Sequence, residues 1–437
     1  MEHELEITAQ DSEGRGVARV DGKVVFVEGA VIGERVAVRI RRKRPNYDIA
    51  EVTKVLRASA LRVTPPCPYF GRCGGCAIQH IEPSAQVALK QRALEDGFMH
   101  LADVRPAQIL PPMYGPNWSY RHRARLSVRY VPKKGGVLVG FRERQGRYVT
   151  DMEHCAILTP EVSGLIKPLR ELIALLSEPK AIPQIEVAVG DAATVFVLRH
   201  MQALTAADIN LLHEFAARHN IVWWLQPKGP ETAHPLNRDD INRLYYDLPE
   251  FGLRMHFQPS DFTQVNVPIN RRLVSQAVAL LQPQKYDVVF DLFCGLGNFS
   301  LPLATQAGRV VGFEGSASLV ERAQQAAQAH GLAEKTQFMA VNLFEVDSNW
   351  WLQQEKADRV LIDPPRDGAL AIATAIAALP NTHKPHQVVY VSCNPATLAR
   401  DAGIFVKEGG YQLAAAGVVN MFPHTRHVES IAVFTLS

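Results

Sequence analysis

Val288-Val-Phe-Asp291-Leu-Phe293-Cys-Gly295-Leu-Gly297-Asn298-Phe decides the fold of the carboxyl half of the chain. An apolar run that closes on an acid and then a glycine-rich turn reads as a buried strand delivering a turn at its carboxyl end. Four more runs follow, Val310 to Phe313, Phe338 to Val341, Val360 to Ile362 and Val388 to Val391, each separated from the last by a helical stretch. Near-continuous apolar strands joined by crossover helices predict an α/β, Rossmann-like doubly wound sheet from about residue 267 onward. A turn at the end of strand one is where such sheets take an adenosine-containing ligand. The dinucleotide fingerprint needs a third glycine, and Ser300 stands there, which disfavours NAD. No G-x-x-x-x-G-K-[ST] phosphate loop is present. Strand two ends at Glu314, where an acid accepts hydrogen bonds from both ribose hydroxyls. A glycine turn, a ribose acid and no phosphate loop fit S-adenosylmethionine, which carries no phosphates.

The other strand ends extend the site. Strand three ends near Asn342, placed toward an adenine edge. Strand four ends in Asp363-Pro364-Pro365-Arg366, whose prolines make a rigid extended loop and point the Asp363 carboxylate toward cofactor and substrate. Amino-group methyltransferases carry an aromatic after such prolines. Arg366 in that place argues against exocyclic-nitrogen chemistry. Strand five ends in Ser392-Cys393-Asn394-Pro395, with Asn394 suited to an N-cap and Pro395 to the first helical position. Cys393 then precedes a helix N-terminus, where the dipole and free N–H groups favour a thiolate nucleophile. Glu429 lies on the hairpin between the last two strands, in Phe422-Pro-His-Thr-Arg-His-Val-Glu429. It is either a solvated strand start or a base reaching the pocket of Cys393.

Working outward, residues 1–60 alternate as short strands punctuated by glycines, which predicts a small antiparallel barrel. Its basic edge, Arg41, Arg42, Lys43 and Arg44, is a candidate nucleic-acid contact. Residues 119–149 hold nine Lys/Arg and one acid. Period-two alternation puts Arg121, Arg123, Arg125 and Arg129 on one face as a phosphate platform, and Ala124, Leu126, Val128 and Tyr130 on the other. Residues 160–260 mix helix and strand, so 61–262 is expected to be an α+β domain and 263–437 the doubly wound one. The whole chain of 437 residues has 47 Lys+Arg against 44 Asp+Glu, a balance that hides the basic stretch. No apolar run is long enough to span a membrane, and the acidic start lacks a signal-peptide core. Six cysteines in this length make no disulfide scaffold, so a reducing, cytoplasmic location is expected.

Those cysteines divide. Cys67, Cys73 and Cys76 give C-x5-C-x2-C, and Cys155 follows farther on. Four thiols can hold zinc or a 4Fe–4S cluster. Spacing alone does not separate the two, although one C-x2-C pair rather than two leans toward iron–sulfur. Cys294 packs behind the glycine turn, and Cys393 is the remaining thiol.

Taken as a set, these segments resemble the bacterial RNA uracil-5-methyltransferases, and within them the iron–sulfur branch acting on uridine 1939 of 23S rRNA. The similarity runs over nearly the whole chain. It rests on Gly14-Arg-Gly-Val-Ala with its basic strand, which looks like an OB-like TRAM domain, on the cysteine run, and on Tyr120-Arg-His-Arg-Ala-Arg125. It rests also on Phe262-Thr-Gln264-Val-Asn266, Asp291-Leu-Phe-Cys-Gly, Asp363-Pro-Pro-Arg, Ser392-Cys-Asn-Pro and Phe422-Pro-His-Thr with Glu429. The resemblance implies cofactor contacts from Gln264, Phe293, Asn298, Glu314, Asn342 and Asp363. It implies Cys393 as nucleophile, Glu429 as base, and a 4Fe–4S cluster on Cys67, Cys73, Cys76 and Cys155. It implies S-adenosylmethionine as methyl donor and 23S rRNA as partner, with the protein expected to be a monomer. Another rRNA uridine or a tRNA is the alternative substrate, and a non-catalytic RNA-binding assembly factor the alternative class. Asn420 departs from the family, which usually has Asp before Met-Phe-Pro-His-Thr, and the change is expected to touch only local hydrogen bonding.

Overall fold

The computed structural model describes residues 2–144 and 146–437. Its first sheet holds β1 (Glu2–Glu6), β2 (Ala9–Gln10), β3 (Gly16–Val20), β4 (Lys23–Glu28), β5 (Arg35–Lys43) and β6 (Tyr47–Arg57), in the order β1-β5-β6-β4-β3-β2. Alternation decides which side chains face inward: Val25 and Val27 are buried and Val24, Phe26 and Glu28 are not, and Val36 and Val38 are buried with the small Ala37 between them. Each such valine stabilises the sheet by about 1.5–3 kcal/mol relative to exposure. The expected all-antiparallel barrel needs correcting, because β4 pairs β6 in parallel. The sequence reading had not placed β6, whose apolar positions are interrupted by charge.

The second sheet runs β13-β12-β11-β10-β8-β9. Its strands are β8 (Arg123–Val131), β9 (Gly136–Gly140), β10 (Gln184–Val189), β11 (Thr194–Arg199), β12 (Val222–Gln226) and β13 (His234–Pro235). Helices Ile166–Leu175 and Ala206–His219 contribute Leu169, Leu172, Leu212 and Phe215 to its core. Tyr130, expected on the inner face, is exposed near the tip of the β8–β9 hairpin, with the Lys180 ammonium 5.4 Å over its ring. A separate ribbon pairs β14 (Tyr245–Leu248) with β15 (Leu253–His256).

The third sheet has eight strands, ordered β18-β17-β16-β19-β20-β22-β21-β7. These are β7 (Gln108–Ile109), β16 (Val288–Leu292), β17 (Arg309–Glu314), β18 (Thr336–Ala340), β19 (Arg359–Ile362), β20 (Gln387–Ser392), β21 (Tyr411–Val419) and β22 (Glu429–Leu436). Strands β16 to β20 are mutually parallel, and β22 enters antiparallel between β20 and β21. The strand order reverses at β16, so the carboxyl ends of β16 and β19 flank the crevice where such sheets bind ligands. The chain also crosses the boundary expected at residue 263. Strand β7 adds to the edge of this sheet, and Leu94 and Phe98, at the end of helix Pro83–Gly97, share its core with Phe290 and Leu398. Among the described residues no helix is long and apolar enough to cross a membrane.

Candidate active site

The turn after β16 is built from backbone that L side chains resist. Phe293, Gly295 and Gly297 have φ of 63°, 54° and 85°. Glycine adopts this region without penalty, whereas Phe293 is held there by its surroundings. The turn is tied to the end of β17: the Gly295 N–H donates to Glu314 Oε2 at 3.1 Å, and the Ser316 N–H to Oε1 at 3.0 Å. Behind it Asp291 is fully buried, with the Ser300 hydroxyl donating to Oδ2 and no partner for Oδ1 among the described residues. Burial pushes the Asp291 carboxyl up to about 7.

In front of the turn lies a cavity of about 450 Å³, within the range of ligand sites. Of the six expected cofactor contacts, Gln264, Phe293, Asn298, Glu314 and Asp363 line it. Asn342 does not reach this wall; it turns Oδ1 onto the Phe344 N–H at 3.2 Å. Asn298 is held on both sides, exchanging two 3.0 Å hydrogen bonds with Asn270 and accepting from the Tyr246 hydroxyl at 2.8 Å. Tyr246 and Phe422 also line the cavity; Phe422 opens the segment that leads to Glu429, whereas no local signal marks Tyr246 as a site residue. Burial pushes Asp363 up to about 7. Asp363 and Glu314 on the cavity wall, with no lysine or arginine among the described lining residues but Arg366 at the rim, make a site suited to a cationic adenosine ligand. S-adenosylmethionine, with its sulfonium and ammonium groups and no phosphate, fits that donor set.

Cys393 and Glu429 line the same cavity. Strand register brings them together. In the antiparallel β20–β22 ladder Val391 faces Ile431 and Ser392 faces Ser430, so one further step sets Cys393 against Glu429. Directly opposed residues project to the same face. The helix expected after Cys393 is present, Pro395–Lys407, capped by the Asn394 side chain on Ala396 N–H at 3.1 Å. The expected thiolate is not favoured, however. Burial, then the Glu429 and Asp363 carboxylates, push the thiol up to about 11, and Arg366 only partly opposes them. Glu429 is itself held well above the usual carboxylate range by burial and by Asp363. Arg366 Nη2 approaches His427 Nδ1 at 2.9 Å, and both side chains line the cavity rim.

A polar groove leaves this rim through Arg366 and His427 and continues past Arg121, Arg125, Arg142 and Arg144 to Glu13 and Glu28 of the first sheet. Arg125 is exposed, paired with Glu186 at 2.9 Å, and Arg129 is exposed. Arg41 is exposed and paired with Glu51 at 2.6 Å, and Arg42, Lys43 and Arg44 are exposed beside it. Arg123 departs from the expected platform. The loop 258–265 covers it, and its guanidinium donates to the Pro259 carbonyl and to Thr263 Oγ1, next to Gln264 of the cavity wall. Its place is behind the loop that carries Gln264 into the cavity and not on the exposed surface of Arg125 and Arg129. Arg123→Met is therefore expected to weaken S-adenosylhomocysteine binding by about tenfold, as the loss of a charge-assisted anchor would. Calorimetry should show that loss, and the salt slope of RNA binding should stay unchanged. A reduced salt slope with normal cofactor affinity would instead make Arg123 a phosphate contact.

Cys67, Cys73, Cys76 and Cys155 line one small cavity with Tyr69, Phe141 and Met152. Among the described residues no three His, Cys, Asp or Glu side chains gather closely enough to share one metal ion. Burial pushes Cys76 up to about 12 and Cys155 to about 11, with the other thiols adding to each. The Gly75 N–H points at Cys73 Sγ from 3.4 Å. The four thiols thus share one apolar-walled cavity, with a single N–H donor on Cys73.

A family model described as tRNA (Uracil-5-)-methyltransferase matches residues 247–436, and a TRAM domain model matches residues 2–53. A relative from Bordetella bronchiseptica, named 23S rRNA (uracil(1939)-C(5))-methyltransferase RlmD, is 60% identical over 98% of this chain and 92% of its own. The chain belongs to the RNA uracil-5-methyltransferase family. A second relative with that protein name, from Nitrosospira multiformis, is 52% identical over 98% of this chain and 97% of its own. Among solved structures, the Pyrococcus abyssi tRNA (uracil-54, C5)-methyltransferase in complex with S-adenosyl-L-homocysteine matches with a TM-score of 0.73. It is 22% identical and covers 99% of this chain and all of its own, so it speaks to the fold. The family's methyltransferase and TRAM units account for the third and first sheets, with the central sheet between them.

Proposed function

We propose that this chain transfers a methyl group from S-adenosylmethionine to carbon 5 of uridine 1939 in 23S rRNA through a covalent adduct on Cys393. One observation carries the reading: the Cys393 thiol and the Glu429 carboxyl share a cavity with the glycine turn, Glu314 and Asp363. When bound, S-adenosylmethionine supplies an electrophilic methyl. The chain's residues must then make uracil carbon 5 nucleophilic. The Cys393 sulfur adds to carbon 6, which places electron density on carbon 5. After methylation Glu429 takes the carbon 5 proton, the double bond re-forms and the carbon–sulfur bond breaks. Gln264, Phe293, Asn298, Glu314 and Asp363 hold the donor. A base reaches this pocket only by leaving its stack, which favours an unpaired uridine.

The substrate assignment draws on the relatives' names, the TRAM unit and the arginine groove. Labelled methyl transfer to undermethylated ribosomal RNA, with the modified nucleotide mapped, tests it. Label at another uridine, or on tRNA alone, replaces the substrate. No transfer to any RNA favours the assembly-factor reading.

The central span, 61–262 in this division, is assigned a 4Fe–4S cluster on Cys67, Cys73, Cys76 and Cys155. Purification without oxygen should then yield a brown protein with a broad visible absorption band and about four irons per chain. Stoichiometric zinc without iron would overturn the cluster.

A further inference from the structure

The loop between β21 and β22 brings Phe422 and His427 to the cavity and leads into Glu429. Nearly every polar group of its first half is held by residues far earlier in the chain. The His424 carbonyl accepts from the Ala77 and Ile78 N–H groups at 2.8 and 3.1 Å. The His424 N–H donates to Gln86 Oε1 at 2.9 Å, and Gln86 Nε2 lies 3.1 Å from His424 Nδ1. The Pro423 carbonyl accepts from the Tyr120 hydroxyl at 2.9 Å, and the Phe422 carbonyl from Lys90 Nζ at 2.8 Å. Trp118 stacks on the His424 ring at 3.8 Å.

Three features make this more than ordinary packing. His424 has φ 64°, a left-handed conformation that a non-glycine residue keeps only when its neighbours impose it. Gln86 is buried with its whole amide engaged, because Nε2 also meets the Ile78 and Ile81 carbonyls at 3.1 and 2.8 Å. Ala77 directly follows Cys76. One amide thus joins the exit of the cysteine loop to the strained residue of the loop preceding Glu429. Lys90 adds a second tie at 3.1 Å to Asn420 Oδ1. An amide there offers a hydrogen bond without the counter-charge an aspartate would bring.

We propose that Gln86 is a positioning residue for methyl transfer, through which the cysteine loop holds the 420–428 loop in register with Cys393. The inference rests on Cys393 and Glu429 being the reacting pair. It gives the distant thiols a role at the site: an ordered cysteine loop presents Ala77 and Ile78, Gln86 meets them from helix Pro83–Gly97, and together these impose the conformation of His424. Loss of the metal from those thiols frees the same contacts.

The test uses the full chain with its metal. Gln86→Leu keeps the volume and removes the amide. Amide exchange over residues 420–428 should accelerate by about tenfold or more, with β16 and β17 unchanged. S-adenosylhomocysteine affinity should hold, and kcat should fall by about a hundredfold with little change in KM for RNA. Stripping the metal from wild-type protein should give the same local exchange signature. If Gln86→Leu does not fold, Lys90→Met cuts the second tie to the same loop and is read in the same way. Unchanged exchange over 420–428 in either variant and in the stripped protein overturns the proposal, as does a loss confined to RNA KM. The exchange and cofactor measurements need no RNA, so they decide the clamp even if methylation itself is not observed.

Discussion

Cys393→Ala is expected to abolish methyl transfer, by about four orders of magnitude or more, while S-adenosylhomocysteine binding stays near normal. Carbon 5 of uracil is a poor nucleophile, and the other thiol lining the cavity, Cys294, is buried in the glycine turn and pushed well above the usual thiol range by burial and by Asp291 and Glu314. The residue tolerates the change structurally, because Cys393 is only partly buried and its strand and helix are held by the β20 ladder and the Asn394 cap. The thiol's environment makes a second point. With the group pushed up to about 11, only about one molecule in ten thousand carries the thiolate at pH 7 without ligands. The carboxylates responsible, Glu429 and Asp363, are those a cation in the cavity would meet, so occupancy by a positively charged donor favours the thiolate. The measurement is single-turnover transfer of labelled methyl, with cofactor affinity by calorimetry. Substantial turnover by Cys393→Ala would remove the covalent route altogether.

What the sequence made legible was local. Strand ends at Asp291, Glu314, Asp363 and Ser392 announce themselves because an apolar run stopping at a polar residue and a glycine or proline is a short-range pattern. Crossover helices make these strands parallel, so their polar ends, Ser392 before Cys393 among them, fall at one edge of the sheet. The contacts that tune the site were not legible, because they join residues from about fifty to several hundred positions apart. Tyr246 reaches Asn298, and Gln86 reaches His424, through packing that leaves no periodic trace. Arg123 shows the same limit from the other side. Period two correctly put it on the face of Arg125, but not the loop 258–265 that covers it. Cys393 itself was misjudged electrostatically: the helix start was visible in Asn394-Pro395, whereas Glu429 arrives from a strand that follows 36 residues later in numbering.

Glu429→Gln is expected to separate the two halves of the reaction. The amide is nearly isosteric and neutral, and Glu429 is buried with its carboxyl held well above the usual range, so the fold should accept it. Addition of Cys393 and methylation of carbon 5 need no base at this position. Removal of the carbon 5 proton does, and an amide cannot take it. The adduct should therefore accumulate as a denaturant-stable complex between protein and methylated RNA, with multiple turnover lowered by about a hundredfold to ten-thousandfold. Gel mobility of labelled RNA after denaturation reads the adduct, and digestion of the trapped RNA shows whether the methyl is already in place. Trapping without methylation would move Glu429 ahead of transfer. Unimpaired multiple turnover would remove it from the mechanism and leave its high protonation tendency to burial and Asp363 alone.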